Sequence, residues 1–178
     1  MGLARVRSVL ARLDAGIACP VVTVTGTNGK GSTAAMAEAI LRGHRLRTGL
    51  YTSPHLVRVE ERVRLGGRAV EPATLAAQLG RLDAFPDLTF FEALTAAAFA
   101  IFAEAGVEVA VLEAGMGGSW DATRLAGSAI AGLTNVGTDH RAWLGTDRPA
   151  IARDKGQALA AAARAVLGPG VQTDIVAE

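Results

Sequence analysis

The spacing of apolar and polar residues changes repeatedly along the chain and predicts alternating strands and helices. Apolar runs predict strands at 20–25, 46–53, 107–113, 128–134 and 165–168. The first of these runs, PVVTVT, has the β-branched composition of a strand buried in a sheet core. The alternating segment 62–71, centred on Gly66 and Gly67, predicts a β-hairpin.

Helical spacing of apolar residues fills the segments between these runs. It predicts helices at 3–13, 32–42, 72–84 and 90–105, a helix that starts at Pro149, and the beginning of a further helix at 169–178. Gly43 and Gly106 stand where a helix commonly ends, and Pro72 and Pro149 stand at first helical positions. Strands that alternate with helices predict an α/β fold, a doubly wound and mainly parallel sheet.

Length and charge restrict the class of protein. The 178 residues predict a single domain, and 18 basic against 17 acidic residues give a net charge of +1. This balance gives no electrostatic basis for binding nucleic acid or a membrane surface. No apolar run reaches transmembrane length, and the single cysteine, Cys19, fits a reducing compartment. A cytoplasmic protein is therefore expected, and a monomer.

A glycine-rich segment, TGTNGKGS at 25–32, lies between the first predicted strand and an Ala-rich helix. Glycines let backbone amides approach a ligand closely, and a helix N-terminus together with a lysine favours an anion. We predict a phosphate-binding loop. Its residues are Gly26, Thr27, Asn28, Gly29, Lys30, Gly31 and Ser32. The alternative is an ordinary glycine-rich turn with a solvated lysine.

This loop departs from the Walker A pattern, in which glycine opens the loop and Ser or Thr follows the lysine. Val24 and Gly31 occupy those two positions here. The hydroxyl that would bind magnesium must therefore come from another part of the chain. Ser53 lies at the end of the second predicted strand and is well placed to supply it, although a serine before a proline is also typical of a simple turn.

Two more candidate site residues follow predicted strands, and a third lies on the helix that starts at Pro149. Glu113 ends the strand 107–113, where a magnesium-binding acid belongs, but an exposed strand-end glutamate is an equal alternative. His140, in TNVGTDH, is a poor ligand type for a hard cation, so a structural histidine is favoured from the residues alone. The local sequence around Lys155 predicts an exposed lysine on the surface of the helix.

Taken together, these segments resemble the folylpolyglutamate synthase/dihydrofolate synthase family, a branch of the Mur ligases. TGTNGKGS, YTSPHL, FFEALTAAAF, EAGMGGSWDAT, TNVGTDH and WLG occur in the order and approximate spacing of that family, over nearly the whole chain. The resemblance implies a P-loop fold of the Mur ligase central-domain type. It also implies ATP-dependent ligation of a folate or dihydropteroate carboxylate to the amine of L-glutamate, through an acyl phosphate.

The resemblance also implies roles for individual residues. Lys30 contacts the transferred phosphate, Ser53 and Glu113 bind one Mg²⁺, and His140 binds a second. Lys155 matches a lysine that carries carbon dioxide as a carbamate. Lys30, His140 and Lys155 are therefore the expected catalytic residues, with ATP and Mg²⁺ as the expected cofactors.

The chain departs from the family pattern in several places. Ser119 and Arg124 stand where the family usually has Arg and Asn. After Lys155, this chain has Gly156-Gln157 in place of the Ala-Gly-Ile that is usual in the family. We expect residues 1–178 to form one ATP-binding domain that stops before a second, C-terminal domain. A noncatalytic nucleotide-binding module derived from such a ligase is the alternative, whereas a small-molecule kinase would carry Ser or Thr at position 31.

Overall fold

The computed structural model describes residues 3–137, 148–160 and 162–171, with the side chain of Arg148 excluded. Seven strands form one sheet in the order β4-β3-β2-β5-β1-β6-β7. The strands are β1 Val21–Thr25, β2 Thr48–Tyr51, β3 Val63–Leu65, β4 Arg68–Ala69, β5 Val109–Glu113, β6 Ile130–Leu133 and β7 Arg164–Leu167. The helices are α1 Ala4–Leu13, α2 Lys30–Gly43, α3 Pro72–Gly80, α4 Phe90–Glu104 and α5 Arg148–Gly156, with 3-10 helices at Val59–Arg62 and Ala122–Ala126.

The five strands β2, β5, β1, β6 and β7 run parallel to one another, and the β3–β4 hairpin adds an antiparallel edge. The predicted α/β class with a mainly parallel sheet is confirmed. Because the strands are parallel, the carboxyl ends of β1, β2, β5 and β6 lie along one edge of the sheet. Ligands of open α/β sheets bind at this edge.

Alternate residues of β5 point to two different apolar clusters, which explains its fully buried sequence. Ala110 and Leu112 pack with α1 and α4, whereas Val111 packs with Ala34 of α2 on the opposite face. Helix α4 buries every residue from Leu94 to Phe102. Its small alanines let it lie close to the sheet. No helix in the described ranges combines the length and the hydrophobicity that crossing a bilayer requires.

Two helix boundaries differ by two residues or more from those predicted. Helix α2 begins at Lys30, two residues before the predicted start, because Gly29 adopts a positive φ of 77° and lets the chain turn directly into the helix. Helix α3 ends at Gly80 and does not reach residue 84. The amides of Leu82, Asp83 and Phe85 instead donate to carbonyls three residues earlier, as in successive tight turns. Of the helix predicted at 169–178, residues 172–178 lie outside the described part.

Gly49 of β2 faces Phe102 of α4, so a substitution at position 49 tests how closely the helix packs on the sheet. A Cβ at position 49 would lie 2.8 Å from Cδ1 of Phe102, so Gly49→Ala forces the ring or the strand to move. We expect Gly49→Ala to lower the free energy of unfolding by about 1–3 kcal/mol, measured by urea denaturation. Gly16→Ala is the control, since a Cβ there meets nothing within 4 Å. Equal urea midpoints for the two variants would contradict close packing at Gly49.

Candidate functional site

Residues 26–29 connect β1 to the N-terminus of α2 at the ligand-binding edge of the sheet. Gly26 and Gly29 adopt positive φ angles of 138° and 77°, which L-residues with side chains rarely adopt. A Cβ at Gly26 would also overlap the hydroxyl of Thr134. The glycines therefore permit a tight turn that presents the first amides of a 14-residue helix at the surface. Such a helix end attracts phosphate.

The segment after β6 holds this loop in place. The amide of Thr27 donates to the carbonyl of Asn135 at 3.1 Å, and the amide of Asn28 donates to Oδ1 of Asn135 at 3.0 Å. The amide of Gly137 donates to Oγ1 of Thr27 at 2.8 Å. Asn135 was not singled out by the sequence analysis. The available signal was a polar Thr-Asn pair directly after an apolar strand.

Lys30, the first residue of α2, is half-buried within the loop. Its Nζ donates to the carbonyl of Thr27 at 3.0 Å, so the ammonium folds back over the turn and does not extend into solvent. Lys30 thus takes part in the hydrogen bonding of the loop, and its contact with a phosphate stays a prediction. The cation lies beside the same amides that would contact a phosphate.

Glu113 occupies the place that a Walker hydroxyl would fill. The Glu113 side chain is buried, and a Cβ built on Gly31 would lie 3.1 Å from its Oε2. A Ser or Thr at position 31 would push directly into this carboxylate. The alternative of an exposed strand-end glutamate is therefore wrong, and Gly31 is explained by the close approach of the acid.

Ser53, two residues after the end of β2, also contacts the carboxylate of Glu113. Its backbone amide donates to Oε2 of Glu113 at 2.9 Å. Burial raises the pKa of Glu113 above the ordinary value, while the Ser53 amide and the positive charge of Lys30 act in the opposite direction. A divalent cation would reverse this balance, since it favours the carboxylate form.

Lys155 lies on α5 with only 1 % of its surface exposed. Its Nζ donates to the carbonyl of Gly26 at 3.2 Å, which brings the amine to the beginning of the phosphate-type loop. The interpretation as a surface charge is wrong. His140 and its neighbour Asp139 lie outside the described residues.

Asp121 organises the glycine-rich loop after β5. The amides of Gly115 and Met116 donate to its Oδ2 at 2.7 and 3.0 Å, and the amide of Thr123 donates to its Oδ1 at 2.9 Å. Burial raises the pKa of this carboxyl, although these hydrogen bonds favour the ionised form. This role of Asp121 is not predictable from the sequence, because only the folded loop turns its amides toward the acid.

Two of the residues that depart from the family pattern, Ser119 and Arg124, make specific contacts. Oγ of Ser119 hydrogen-bonds to Asp154, the residue before Lys155, at 2.5 Å, and Arg124 donates to the carbonyl of Ser119 at 2.9 Å. The amide of Gly118 donates to Asp154 at 3.0 Å. A Cβ at Gly118 would overlap the backbone of α5. The loop is thus fastened directly to the helix that carries Lys155.

A cavity of about 450 Å³ opens beside Ser53. Phe91, Met116 and Trp120 supply apolar walls. The charged residues of the lining are Arg5, Arg62, Glu92, Asp121 and Asp154. This combination of aromatic walls and a few polar groups is typical of sites for small organic ligands. Since Ser53 lines the cavity and its amide binds Glu113, the cavity adjoins the loop-facing carboxylate.

The residues at this edge fit a magnesium–nucleotide site. Mg²⁺ prefers oxygen ligands and is usually held by one or two carboxylates together with substrate phosphates and water. Glu113 supplies a carboxylate and Ser53 a hydroxyl, both next to the loop 26–32. Gly31 leaves room for this arrangement because it has no side chain.

Comparison with known proteins gives a consistent match. The Mur ligase middle domain model matches residues 24–163. The dihydrofolate synthase/folylpolyglutamate synthase of Haemophilus influenzae is 42% identical over 158 residues, which cover 87% of this chain and 36% of that protein.

Solved structures agree. E. coli FolC in complex with DHPP and ADP superimposes with a TM-score of 0.93 at 37% identity, over 99% of this chain and 44% of that one. A bifunctional folylpolyglutamate synthase/dihydrofolate synthase with Mn, AMPPNP and L-glutamate bound gives a TM-score of 0.91 at 39% identity, over 99% of this chain and 45% of that one.

The chain therefore spans less than half the length of these relatives. The family model matches most of the chain, and the fold agrees throughout. This protein belongs to the Mur ligase middle-domain family, within which it resembles the folylpolyglutamate synthase/dihydrofolate synthase branch.

Proposed function

We propose that this chain is the ATP-binding part of a ligase that joins L-glutamate to the carboxylate of a folate or dihydropteroate. The observation that carries the proposal is the contact between Glu113 and the Gly31 position, with Ser53 bound to the same carboxylate. This contact brings the predicted phosphate-binding loop next to a carboxylate and a serine that could bind a cation through oxygen. The relatives crystallised with ADP, or with Mn, AMPPNP and L-glutamate, support the same chemistry.

The loop 26–32 binds the β- and γ-phosphates of ATP in this proposal. Its amides donate to phosphate oxygens, and Lys30 turns from the Thr27 carbonyl toward the transferred phosphate. The helix α2 adds its positive end to the same anion. These contacts orient the γ-phosphorus toward the cavity beside Ser53.

Ser53 and Glu113 would hold one Mg²⁺, and His140 would hold a second. Magnesium, when bound, neutralises phosphate charge and so favours attack by another anion. Lys155, as a carbamate, would contribute carboxylate-like oxygens near Gly26. The position of Lys155 supports this role, because the side chain is buried next to the loop and its Nζ contacts the Gly26 carbonyl.

The cavity would bind the aromatic body of the acceptor. Its carboxylate oxygen attacks the γ-phosphorus of ATP, the bond to the β–γ bridging oxygen breaks, and ADP leaves. The amine of L-glutamate then attacks the acyl carbon, phosphate leaves and the nitrogen loses a proton. The residues of this chain orient the two anions and exclude water between them.

A second, C-terminal domain is part of the proposal, because this chain covers only 44% and 45% of the two solved relatives that it matches. That domain would complete the nucleotide site and contact L-glutamate. The cytoplasmic location and the monomeric state remain predictions from sequence. A noncatalytic nucleotide-binding module remains the alternative, and it differs in one measurable respect: it has no need to bind an acceptor.

We expect the isolated chain to bind both MgATP, weakly, and 7,8-dihydropteroate, while forming little dihydrofolate. Calorimetry measures the two affinities and mass spectrometry measures the product. Trp120→Ala should weaken dihydropteroate binding about two- to tenfold and leave MgATP binding unchanged, because Trp120 lines the cavity.

Ile40→Ala is the matched control, since Ile40 is 65 % and Trp120 62 % exposed, and Ile40 does not line this cavity. Binding of MgATP without any binding of dihydropteroate would favour the noncatalytic alternative. Rapid ligation by the isolated chain would contradict the need for a second domain.

A further inference from the structure

Arg62 is a cation held rigidly in the wall of the acceptor cavity. It closes the 3-10 helix Val59–Arg62, and its Nε donates to Nδ1 of His55 at 2.9 Å. Its guanidinium lies over the ring of Phe90, 5.3 Å from the ring centroid. The hydrogen bond and the ring contact fix the orientation of the group before any ligand binds.

The charge of Arg62 is not neutralised by these contacts. A histidine side chain is neutral or positive and never negative, so the hydrogen bond to His55 does not neutralise Arg62. Across the described ranges 3–137, 148–160 and 162–171, five ion pairs form and Arg62 takes part in none of them. Arg5 lines the same cavity, but it is paired with Glu92 at 3.3 Å.

Arg62 also lies toward the end of the cavity where the chemistry is expected. It shares the cavity wall with Ser53, whose amide binds Glu113. The positive charge of Arg62 also acts on the carboxyl of Glu113. Burial raises the pKa of Glu113, and the charge of Arg62 is one of the effects that lower it. An oxyanion bound to Arg62 would therefore lie between the aromatic walls and the loop-facing carboxylate.

We propose that Arg62 binds the reacting carboxylate of the acceptor and so selects acceptors that are anionic at this end. The inference rests on the proposed function, and it adds a named binding residue and the charge of its ligand. A planar guanidinium can offer a carboxylate two parallel N–H donors, and here these are the Nη groups, since Nε is bound to His55. The hydroxyl of the buried Tyr51 contacts the same guanidinium. ATP phosphate is the competing oxyanion, and binding measurements distinguish the two.

The test compares 7,8-dihydropteroate with its carboxamide, which has the same shape without the charge. Both are titrated by calorimetry into the 178-residue chain with Mg²⁺ and AMPPNP present. The unmodified chain should bind the carboxylate about ten- to a hundredfold more tightly than the carboxamide. Arg62→Met, which keeps the apolar contact with Phe90, should bind the two ligands equally well. Arg62→Lys should retain part of the preference.

Arg5→Met is the matched control, because it removes an already paired cation from the same cavity; it should keep the full carboxylate preference. Circular dichroism checks the fold of each variant. If Arg62→Met and Arg62→Lys keep the preference, or lose AMPPNP affinity in place of it, the assignment of Arg62 is overturned and the proposed function is not. If the unmodified chain binds neither pteroate ligand, both are overturned.

Discussion

Lys155→Arg is expected to abolish ligation as completely as Lys155→Ala, in a protein that carries this chain together with a C-terminal domain. Arginine keeps the positive charge, but its guanidinium does not form a carbamate. Carbamylation consumes a neutral amine and carbon dioxide, releases a proton and leaves an anion. The buried amine beside the Gly26 carbonyl is suited to this reaction, whereas a lysine in water is almost wholly protonated at neutral pH.

ATP affinity should remain largely intact in both variants, because the loop and Lys30 are unchanged. Acetate in excess should restore part of the rate of Lys155→Ala by occupying the vacated anionic position. Incubation of the isolated chain with ¹³C-bicarbonate provides a second measurement, in which the unmodified chain shows a carbamate carbon signal that Lys155→Arg lacks. Normal ligation by Lys155→Arg would contradict the carbamate.

Features that depend on local sequence were predictable. The glycine loop was recognised because Gly26, Gly29 and Lys30 are close together in the sequence, and strand-end residues such as Glu113 were placed at one edge because parallel strands share a direction. The identity of Gly31 could not be explained in this way. It depends on the approach of Glu113, which lies 82 residues later in the sequence.

Contacts between distant segments account for the residues that were missed. Asn135 supports the loop only because β6 is adjacent to β1, and Asp121 accepts amides only because its own loop folds around it. Arg62 begins the segment 62–71 that predicts a β-hairpin, but the role proposed for it depends on which cations already have partners, and only the structure shows that. The helix after Pro72 was predicted too long because apolar residues continue through tight turns beyond Gly80.

Lys30→Ala is expected to lower ATP affinity about ten- to a hundredfold, whether or not magnesium is present, because it removes a cation that contacts the phosphate directly. The stability of the domain should change by only about 0.5 kcal/mol, since Lys30 is half-buried and its Nζ donates to a carbonyl of the loop. Calorimetry measures the affinity, and urea denaturation measures the stability. If a folded Lys30→Ala variant binds ATP as tightly as the unmodified chain, the segment 26–32 is an ordinary glycine-rich turn and not a phosphate-binding loop.

Glu113→Gln should act differently, because it removes the metal ligand and leaves the phosphate loop intact. The most direct test of the magnesium–nucleotide site is calorimetry of ATP binding with and without Mg²⁺, for the unmodified chain and for Glu113→Gln. We expect Mg²⁺ to strengthen ATP binding to the unmodified chain and to give little gain in Glu113→Gln, whose metal-free binding should equal or exceed that of the unmodified chain, since a carboxylate near the phosphates is gone. The same gain from Mg²⁺ in both proteins would show that Glu113 does not hold the metal.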